Sequence, residues 1–547
     1  LKHFALLGVL IPGLLVAAPA HATIFGNVRG IVHDPQHRPI NGAQITLRAQ
    51  ASDWSEQART SADGEFAFAA VPLGDYSIQV SAAGFGAREM KIEVTSGSAP
   101  ILHFLLQIET MKQSVKVIAT PGTVALESPA ERTLVSREQI ARTPGASQTN
   151  SLAMITDFVP GAYIVHDQLH IRGGHQVTWL VDGVPVPNTS IASNVGPQFD
   201  PKDIDYLEVQ RGGYSAEYGD RTYGVFNVVT RSGFERNNQA ELVTSYGNLH
   251  TTNDQFSFGS HTDRLAYYMS MSGNRSNLGL ETPVAEVLHD MASGVGGFGS
   301  LIFNATPRDQ LRLTTSLRHD HYQIPNTPED QAAGIRDLNR ERDAFVNFSW
   351  VRTGGHGLLL TVSPYYHFNR ASYLGMSGDR PVIPEDDRTS HYLGANATLA
   401  LLTNKHNTKL GFSGFAERES TFLSLTSTDP NEASLTQHAQ VWGNVGALFV
   451  EDQFKLTPWL TLNGGVRLTR FAGSLTETAA DPRVGAALRL PNLGWVLRGF
   501  YGRYYQPPPL TTASGPLLEL ALAQGFGFIP LRGEKDEQHE FGLTIPV

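Results

Sequence analysis

In the stretch HGLLLTVSPYYHFNR, residues 356–370, the side chains alternate in character. Leu358, Leu360, Val362, Tyr366 and Phe368 fall on one parity; Thr361, Ser363, His367 and Asn369 fall on the other. A strand points successive side chains to opposite faces, so period two means one apolar and one polar face. The pattern recurs at Leu265, Tyr267, Met269 and Met271, at Leu311, Leu313 and Leu317, and at Leu393, Ala395, Ala397, Leu399 and Leu401. Strands of roughly ten residues, joined alternately by tight turns and long loops, are the signature of a transmembrane β-barrel. NATPRDQLRL and FKLTPWLTL supply tight turns; QIPNTPEDQAAGIRDLNRERD and SLTSTDPNEASLTQ supply long polar loops. A water-soluble β-sandwich array shares the alternation but has shorter strands. Tyr365, Tyr366, Phe368, Phe471, Tyr504 and Tyr505 are expected in an aromatic girdle at the membrane surface.

The start of the chain agrees with export. LKHFALLGVLIPGLLVAAPAHA has Lys2, an apolar stretch from Phe4 to Ala18, and Ala20-His21-Ala22 as a small-residue cleavage site. It reads as a signal peptide over residues 1–22; Gly8, Pro12 and Gly13 interrupt it as an anchor helix. No later segment reaches the ~20 apolar residues of a spanning helix, so a membrane crossing has to use strands. The 547 residues carry 52 acidic and 42 basic side chains, a net charge of −10, with no basic block, which makes nucleic acid a poor partner. Cysteine is absent, which removes disulfides and thiolate metal sites.

Residues 24–108 alternate like a small β-sandwich. GNVRGIVHD, GAQITLRAQ, GEFAFAAV, GDYSIQVSAAGF and MKIEVTSG are strand candidates, punctuated by turns at Asp34-Pro35, Asn41-Gly42, Asp63-Gly64 and Gly74-Asp75. The run from Gly42 through Asp63-Gly64-Glu65-Phe66-Ala67-Phe68 to Val71-Pro72-Leu73-Gly74-Asp75-Tyr76 resembles the carboxypeptidase regulatory-like module, a transthyretin-like sandwich with a carbohydrate-binding-like fold. The H-E-x-x-H of a zinc peptidase is absent from the chain; a spacer or docking role is expected ahead of sugar binding. Residues 109–125 form a linker with one extended segment. Residues 126–235 mix helical patches, SREQIARTP and SLAMITDFVPG, with short strands, an α+β pattern.

A large barrel leaves a polar lumen that must be filled. Residues 126–235 can fill it. Trp179, Leu180, Val181 and Val184 can form a small core, Asp182-Gly183 sits where a hairpin turn belongs, and Leu207, Val209, Phe226, Val228 and Val229 build two further strands. Here the sequence resembles the TonB-dependent outer-membrane receptors, in the branch that carries a regulatory-like module ahead of the plug. Leu169-His170-Ile171-Arg172-Gly173-Gly174 is similar to the plug's I-R-G strand, and Val181-Asp182-Gly183-Val184-Pro185 to its D-G-V-P hairpin. Glu208-Val209, Arg211-Gly212, Ser215, Tyr218-Gly219 and Asn227-Val228-Val229-Thr230 are similar to its closing motif; the barrel segment FVEDQFKLTPWLTLNGGVRLTRF fits as well. The resemblance implies a plug over 126–235 and a barrel over 236–547. It implies an ionic lock in which Arg172, Glu208 and Arg211 face barrel carboxylates. It also implies a TonB box within SVKVIATP (Val115, Lys116, Val117, Ile118, Ala119, Thr120) that engages the TonB energising complex. The fold implied is mainly β, in an outer membrane, with the N-terminal module in the periplasm and no cofactor. Plug-gated uptake of a large solute follows; siderophore, oligosaccharide and peptide stay open as cargo.

Other motifs carry less. GVGGFG, residues 294–299, has the dinucleotide spacing but lacks a following helix and reads as a loop. His319 and His321 read as solvated loop residues, and Ser215 lacks nucleophile-elbow spacing. No catalytic constellation assembles, and no enzyme is expected. About 14 barrel strands are legible where the family closes with 22, and the chain stops at HEFGLTIPV with Pro546 in the last strand. A C-terminal truncation is therefore expected, or a smaller closed ring. A diffusion channel, a surface carbohydrate-binding or adhesion protein, and a fragment that transports nothing are the alternatives.

Overall fold

The computed structural model describes residues 25–106, 131–143, 155–187, 199–510 and 532–545, with short breaks at 35–38, 51–53, 63, 95–100, 166–167, 175–176, 263, 281, 307, 355–357, 404, 458, 474, 491–492, 494 and 509. The expected signal peptide and the TonB-box-like residues 115–120 lie outside these.

The N-terminal module is a sandwich of two sheets. Its strands are β1 (Phe25–His33), β2 (Gln44–Ala49), β3 (Ser55–Arg59), β4 (Glu65–Pro72), β5 (Gly74–Ser81), β6 (Arg88–Val94) and β7 (Ile101–Leu105). They pair in the orders β4-β1-β7 and β3-β2-β5-β6. Alternate residues such as Ile45 and Leu47 of β2 and Ile78 and Val80 of β5 point into one core with Phe66, Phe68 and Phe104. The sequence hid β3, an edge strand with Ala58 as its one apolar residue, and β7, a short apolar run that pairs parallel to β1.

The plug follows: β8 (Glu131–Ser136), β9 (Ala162–Val165), β10 (Gln168–Ile171), β11 (Thr178–Val181), β12 (Val184–Pro185), β13 (Ile204–Arg211) and β14 (Val225–Thr230). Its main sheet runs β12-β11-β14-β13-β8, with β9 and β10 as a separate hairpin. The helix Arg137–Arg142 starts at Ser136, whose side chain and that of Gln139 cap each other's backbone N–H. The second helical patch is a single 3-10 turn, Ile155–Phe158, among the described residues. Trp179, Val181 and Val184 share the core with Val135, Leu207, Val209, Phe226 and Val228. Leu180, expected in that core, points the other way toward Tyr214, Tyr218, Phe500 and Tyr504, as the period of a strand requires.

The remainder is one antiparallel sheet of 14 strands in sequence order. These are β15 (Gln239–Val243), β16 (Thr252–His261), β17 (Leu265–Ser276), β18 (Ala292–Asn304), β19 (Asp309–Gln323), β20 (Leu338–Thr353), β21 (Leu358–Leu374), β22 (Val382–Leu402), β23 (His406–Ser427), β24 (Leu435–Thr457), β25 (Leu460–Ala472), β26 (Thr476–Arg489), β27 (Val496–Gln506) and β28 (Glu534–Thr544). β15 and β28 do not pair with each other, so the smaller closed ring is corrected to an open sheet wrapped around the plug. GVGGFG, expected as a loop, lies inside β18, where glycines pair with Met271, Met269 and their neighbours on β17.

This sheet is inside-out relative to a soluble core. On β20 and β21 the buried residues include Asn347, Ser349, Thr361 and Ser363 beside Phe345 and Tyr365, which meet the plug, while Val346, Phe348 and Tyr366 are exposed. Between the outward residues Arg342 and Arg352 lie Ala344, Val346, Phe348 and Trp350, all uncharged. Ten residues at ~3.3 Å, tilted by ~40°, span roughly 25 Å, the height of a barrel's lipid-facing band. β22 to β24 have 21, 22 and 23 residues and run well beyond that band. The girdle expectation fails for Tyr365, Phe471, Tyr504 and Tyr505, each 3% exposed or less. Tyr365, Phe471 and Tyr504 fall on inward positions, and Tyr505, on the other parity at the end of β27, is covered by packing with Phe471, Val445 and Leu510, whereas Tyr366 does face outward.

The sandwich sits at the tight-turn end of the sheet. Phe25 packs on Val351 and Leu359, beside the β20–β21 turn. Arg29 Nη1 donates to Thr403 O at 2.5 Å, beside the β22–β23 turn, and the Asp75 N–H donates to Tyr206 Oη of the plug at 3.4 Å. A charge placed on the outward parity tests the membrane reading. Val346→Arg is expected to cost about 2–4 kcal/mol of folding stability in lipid vesicles, measured by denaturant titration of heat-modifiable migration. Ser349→Thr, on the inward parity, is expected to change it little.

Candidate functional site

The site is the surface on which plug and sheet meet. One loop of the plug, residues 212–220, is held by one inward side chain from each of β23 to β27. Lys409 Nζ of β23 lies 3.2 Å from Glu217 Oε2, and Glu451 Oε2 of β24 accepts from the Ala216 N–H at 2.6 Å. Arg467 of β25 donates through Nη1 to Glu217 O at 2.9 Å and through Nη2 to Ser413 Oγ at 2.8 Å, with Asp220 Oδ2 at 3.3 Å. Arg483 of β26 donates to Tyr214 O at 3.2 Å and to Ser215 O, and stacks over Tyr214 and, at 4.4 Å, over Tyr504 of β27. Arg467 is 1% exposed, so its charge depends on these partners.

β28 holds a second point. Arg172 lies in a tight turn closed by hydrogen bonds between Ile171 and Gly174, and its φ of 50° is left-handed, uncommon outside glycine. That turn aims Arg172 Nη1 at Glu540 Oε1, 2.6 Å away. Gly212, at φ 68°, packs against the pair: a Cβ there would lie 1.5 Å from Glu540 Oε1. Gly219 does the same for Arg467, whose Nε would be 2.2 Å from an added Cβ. These two glycines make room for the charges. Gln538 Nε2 donates to Thr222 O at 2.8 Å, and Tyr223 Oη to Glu534 Oε1 at 3.1 Å.

Of the other expected lock residues, Glu208 accepts from Asn227 Nδ2 at 3.5 Å, and Arg211 donates to Pro160 O at 2.8 Å and Thr133 Oγ1 at 3.2 Å; these contacts lie inside the plug. Arg211 thereby braces the segment on which the Arg172 turn rests, since the Arg172 N–H donates to Gly161 O at 3.0 Å. Gly173, at φ 89°, completes the turn, and Gly174 abuts the Tyr223 ring. Asp182 and Gly183, at φ 49° and 78°, form the expected hairpin turn. Asp182 also does what the sequence did not suggest: Oδ2 accepts from Thr230 Oγ1 at 2.8 Å and from Thr314 Oγ1 of β19 at 2.9 Å.

The opposite side of the plug is held by uncharged hydrogen-bonding side chains and by rings, Tyr268, Phe298, Phe345 and Tyr365, that pack on its core. Asp203 Oδ1 accepts from Gln255 Nε2 of β16 at 3.1 Å and Tyr268 Oη of β17 at 3.0 Å, and His367 of β21 bridges Pro187 O and Asp343 at 2.8 Å each. Burial, reinforced by the Asp200 carboxylate, pushes the Asp203 carboxyl well above the usual range. Lys409, Glu451, Arg467, Arg483 and Glu540 were missed in the sequence. Their signal is a full charge on the polar parity of a long strand, as at Arg467 in NGGVRLTRF.

Three family comparisons bear on this arrangement. Residues 27–107 match the carboxypeptidase regulatory-like domain, 124–225 the TonB-dependent receptor plug domain, and 325–546 the TonB-dependent receptor-like β-barrel. The chain belongs to the TonB-dependent receptor family. The receptor is 25% identical over 235 residues to the TonB-dependent transporter Oar of Myxococcus xanthus; the match covers 41% of this chain and 22% of that protein. The matched segment thus spans about a fifth of that relative's length. Its fold is similar to the ferric yersiniabactin uptake receptor FyuA of Yersinia pestis, with a TM-score of 0.59 at 14% identity over 78% of this chain and 72% of that one. It is also similar to the RagAB peptide transporter, with a TM-score of 0.56 at 13% identity over 76% and 66%.

Arg467→Ala in the receptor is expected to weaken plug docking by about 3 kcal/mol, the low end for a broken buried pair because Asp220 keeps some solvent. Gly219→Val should reproduce the effect by displacing the same guanidinium. Protease digestion of the plug and uptake of a large antibiotic read both; unchanged resistance would contradict the clasp. A carboxyl whose pKa is raised on docking stabilises the docked state below its free pKa and loses that contribution as pH rises through the raised one. Plug protease resistance should therefore fall as pH rises above ~4, and Asp203→Asn should flatten the change.

Proposed function

We propose that the receptor takes up a large solute across an outer membrane by moving or remodelling its plug when the TonB complex pulls on the segment around residues 115–120. The observation that carries this reading is the clasp on residues 212–220. It is built mainly of hydrogen bonds and ion pairs, which water can replace as they part, beside one aromatic contact of Tyr214 and Tyr218 with Phe500 and Tyr504; a wholly apolar seal of the same size would resist opening. Arg172 with Glu540 is the ionic lock, and Glu208 and Arg211 hold the plug strand and turn that present it. The sandwich lies on the periplasmic side, because it covers the tight-turn end of the sheet. FyuA and RagAB are named for a siderophore and for peptides, so cargo of either kind fits this architecture, as does an oligosaccharide.

The segment from Val115 to Thr120 grips its partner by adding an edge strand, through backbone hydrogen bonds. Because the chain has no cysteine, Val117→Cys gives a unique site for cross-linking to a cysteine in the TonB protein's C-terminal domain. A cross-linked adduct is expected with the intact segment. Replacing Val115 and Val117 by proline and aspartate, with the cysteine moved to Ile118, should abolish it while leaving membrane assembly intact; an undiminished adduct would contradict the assignment.

A further inference from the structure

The outward face of the sheet carries a charged patch that plug docking leaves unused. Strand register places Arg275, Ser293, His321 and Arg340 side by side on β17 to β20. The next outward row is Gly273, Val295, His319, Arg342 and Arg370, reaching β21. Neighbouring strands are ~4.8 Å apart, so His319, Arg342 and Arg370 stand in direct opposition, an arrangement that like charges disfavour. Arg370 is neutralised by Asp387, with Nε 3.0 Å from Oδ1. Arg275, Arg340 and Arg342 are exposed and make no ion pair among the described residues. The other nearby carboxylate, Asp254, accepts from the Ser245 N–H at 3.3 Å. A cationic cluster on a chain of net charge −10 is a local departure that needs its own anion.

The depth of the patch identifies the anion. Arg342 marks the upper limit of the uncharged outward run that ends at Arg352, so the cations stand at the polar edge of the lipid band. Below them the surface is Met269, Met271, Leu317 and Val346, all exposed. Gly297 and Gly299 of β18 sit outward between Met271 and Leu317 and between Met269 and Thr315, forming a furrow. A groove of about 350 Å3, lined by Arg275, Ser293, Val295, His319 and His321 with the Asp254 carboxylate on its β16 side, opens at its top.

We propose that this face binds a phosphate-bearing, multiply acylated lipid of the leaflet on the long-loop side. Arg275, Arg340, Arg342 and His319 hold the phosphates, and the Gly297–Gly299 furrow seats an acyl chain. The site rests on the reading of β15–β28 as a membrane sheet with its tight turns in the periplasm. A soluble anion would satisfy the charges but leave the furrow empty; a lipid satisfies both.

The purified full-length protein, titrated in micelles with bisphosphorylated lipid A, its dephosphorylated form or phosphatidylglycerol, reads the site by native mass spectrometry. The bisphosphorylated lipid should bind at least ten-fold tighter than either of the others. Arg340→Gln with Arg342→Gln should remove that preference. Gly297→Leu should lower binding several-fold without perturbing the fold, since a Cβ there meets only Ser270 O, at 3.6 Å. Arg503→Gln, on an outward position of β27, should bind as the parent does. Equal binding of the three lipids, or an unaltered preference in the double variant, overturns the site. Vesicle flotation of the parent protein is scored first: failure to insert overturns the membrane reading itself, whereas insertion without phosphate preference overturns only the lipid site.

Discussion

A strand whose two faces want opposite solvents sets the terms for this protein. Across the lipid band the outward face of β15–β28 is mostly Leu, Val, Phe and Met, and the inward face mixes Ser, Thr and Asn with aromatic rings and a few full charges. Lipid satisfies the first face. The second cannot be left dry and unpaired, because each buried polar group without a partner costs of order 1–3 kcal/mol. The plug supplies partners for the charged positions, and the wall also packs apolar residues on it: Tyr268, Phe298, Phe345 and Tyr365 against its core, and Phe500 and Tyr504 against Tyr214 and Tyr218. The plug's own apolar core lies around Trp179, Leu207 and Phe226.

The strength of the contact is uneven around the plug. Five adjacent strands converge on residues 212–220 and β28 engages Arg172, while β16, β17, β19 and β21 contribute uncharged hydrogen-bonding side chains and the rings of Tyr268 and Tyr365, which pack on the plug core. The crowded side is also where backbone and space are most constrained. Arg172 takes a left-handed turn, and Gly212 and Gly219 leave room for Glu540 and Arg467. This asymmetry concentrates the charged contacts between plug and wall on residues 212–220 and Arg172. The sandwich adds hydrogen bonds from Asp75 to Tyr206 and from Arg29 to Thr403 and a small apolar contact through Phe25, a lighter attachment than the clasp on 212–220.

Much of this was legible from residue pattern. Alternation revealed the sheet and its strand number, because lipid on one side and polar contacts on the other leave a strict period. The Asp182-Gly183 turn was readable from its dipeptide, and the Arg172 motif marked a special position. What escaped reading was contact across hundreds of residues. Arg467 and Arg483 look like ordinary polar-face residues until the loop at 214–220 is folded against them. Tyr504 and Tyr505 looked like membrane-surface aromatics because an aromatic at a strand end has the same local signature whether it faces lipid or a plug. β3 was invisible because an edge strand has little apolar face to display.

The central claim is that residues 212–220 lie against β25 in the membrane. A cysteine-free chain offers a direct measurement, since Ala216 Cβ is 3.1 Å from where a Cβ on Gly465 would stand. Ala216→Cys with Gly465→Cys, assembled in cells and oxidised, should form an intramolecular disulfide that blocks maleimide labelling and is released by reductant. If both thiols remain freely labelled in the folded, membrane-inserted protein, the plug is not seated on this wall and the account fails.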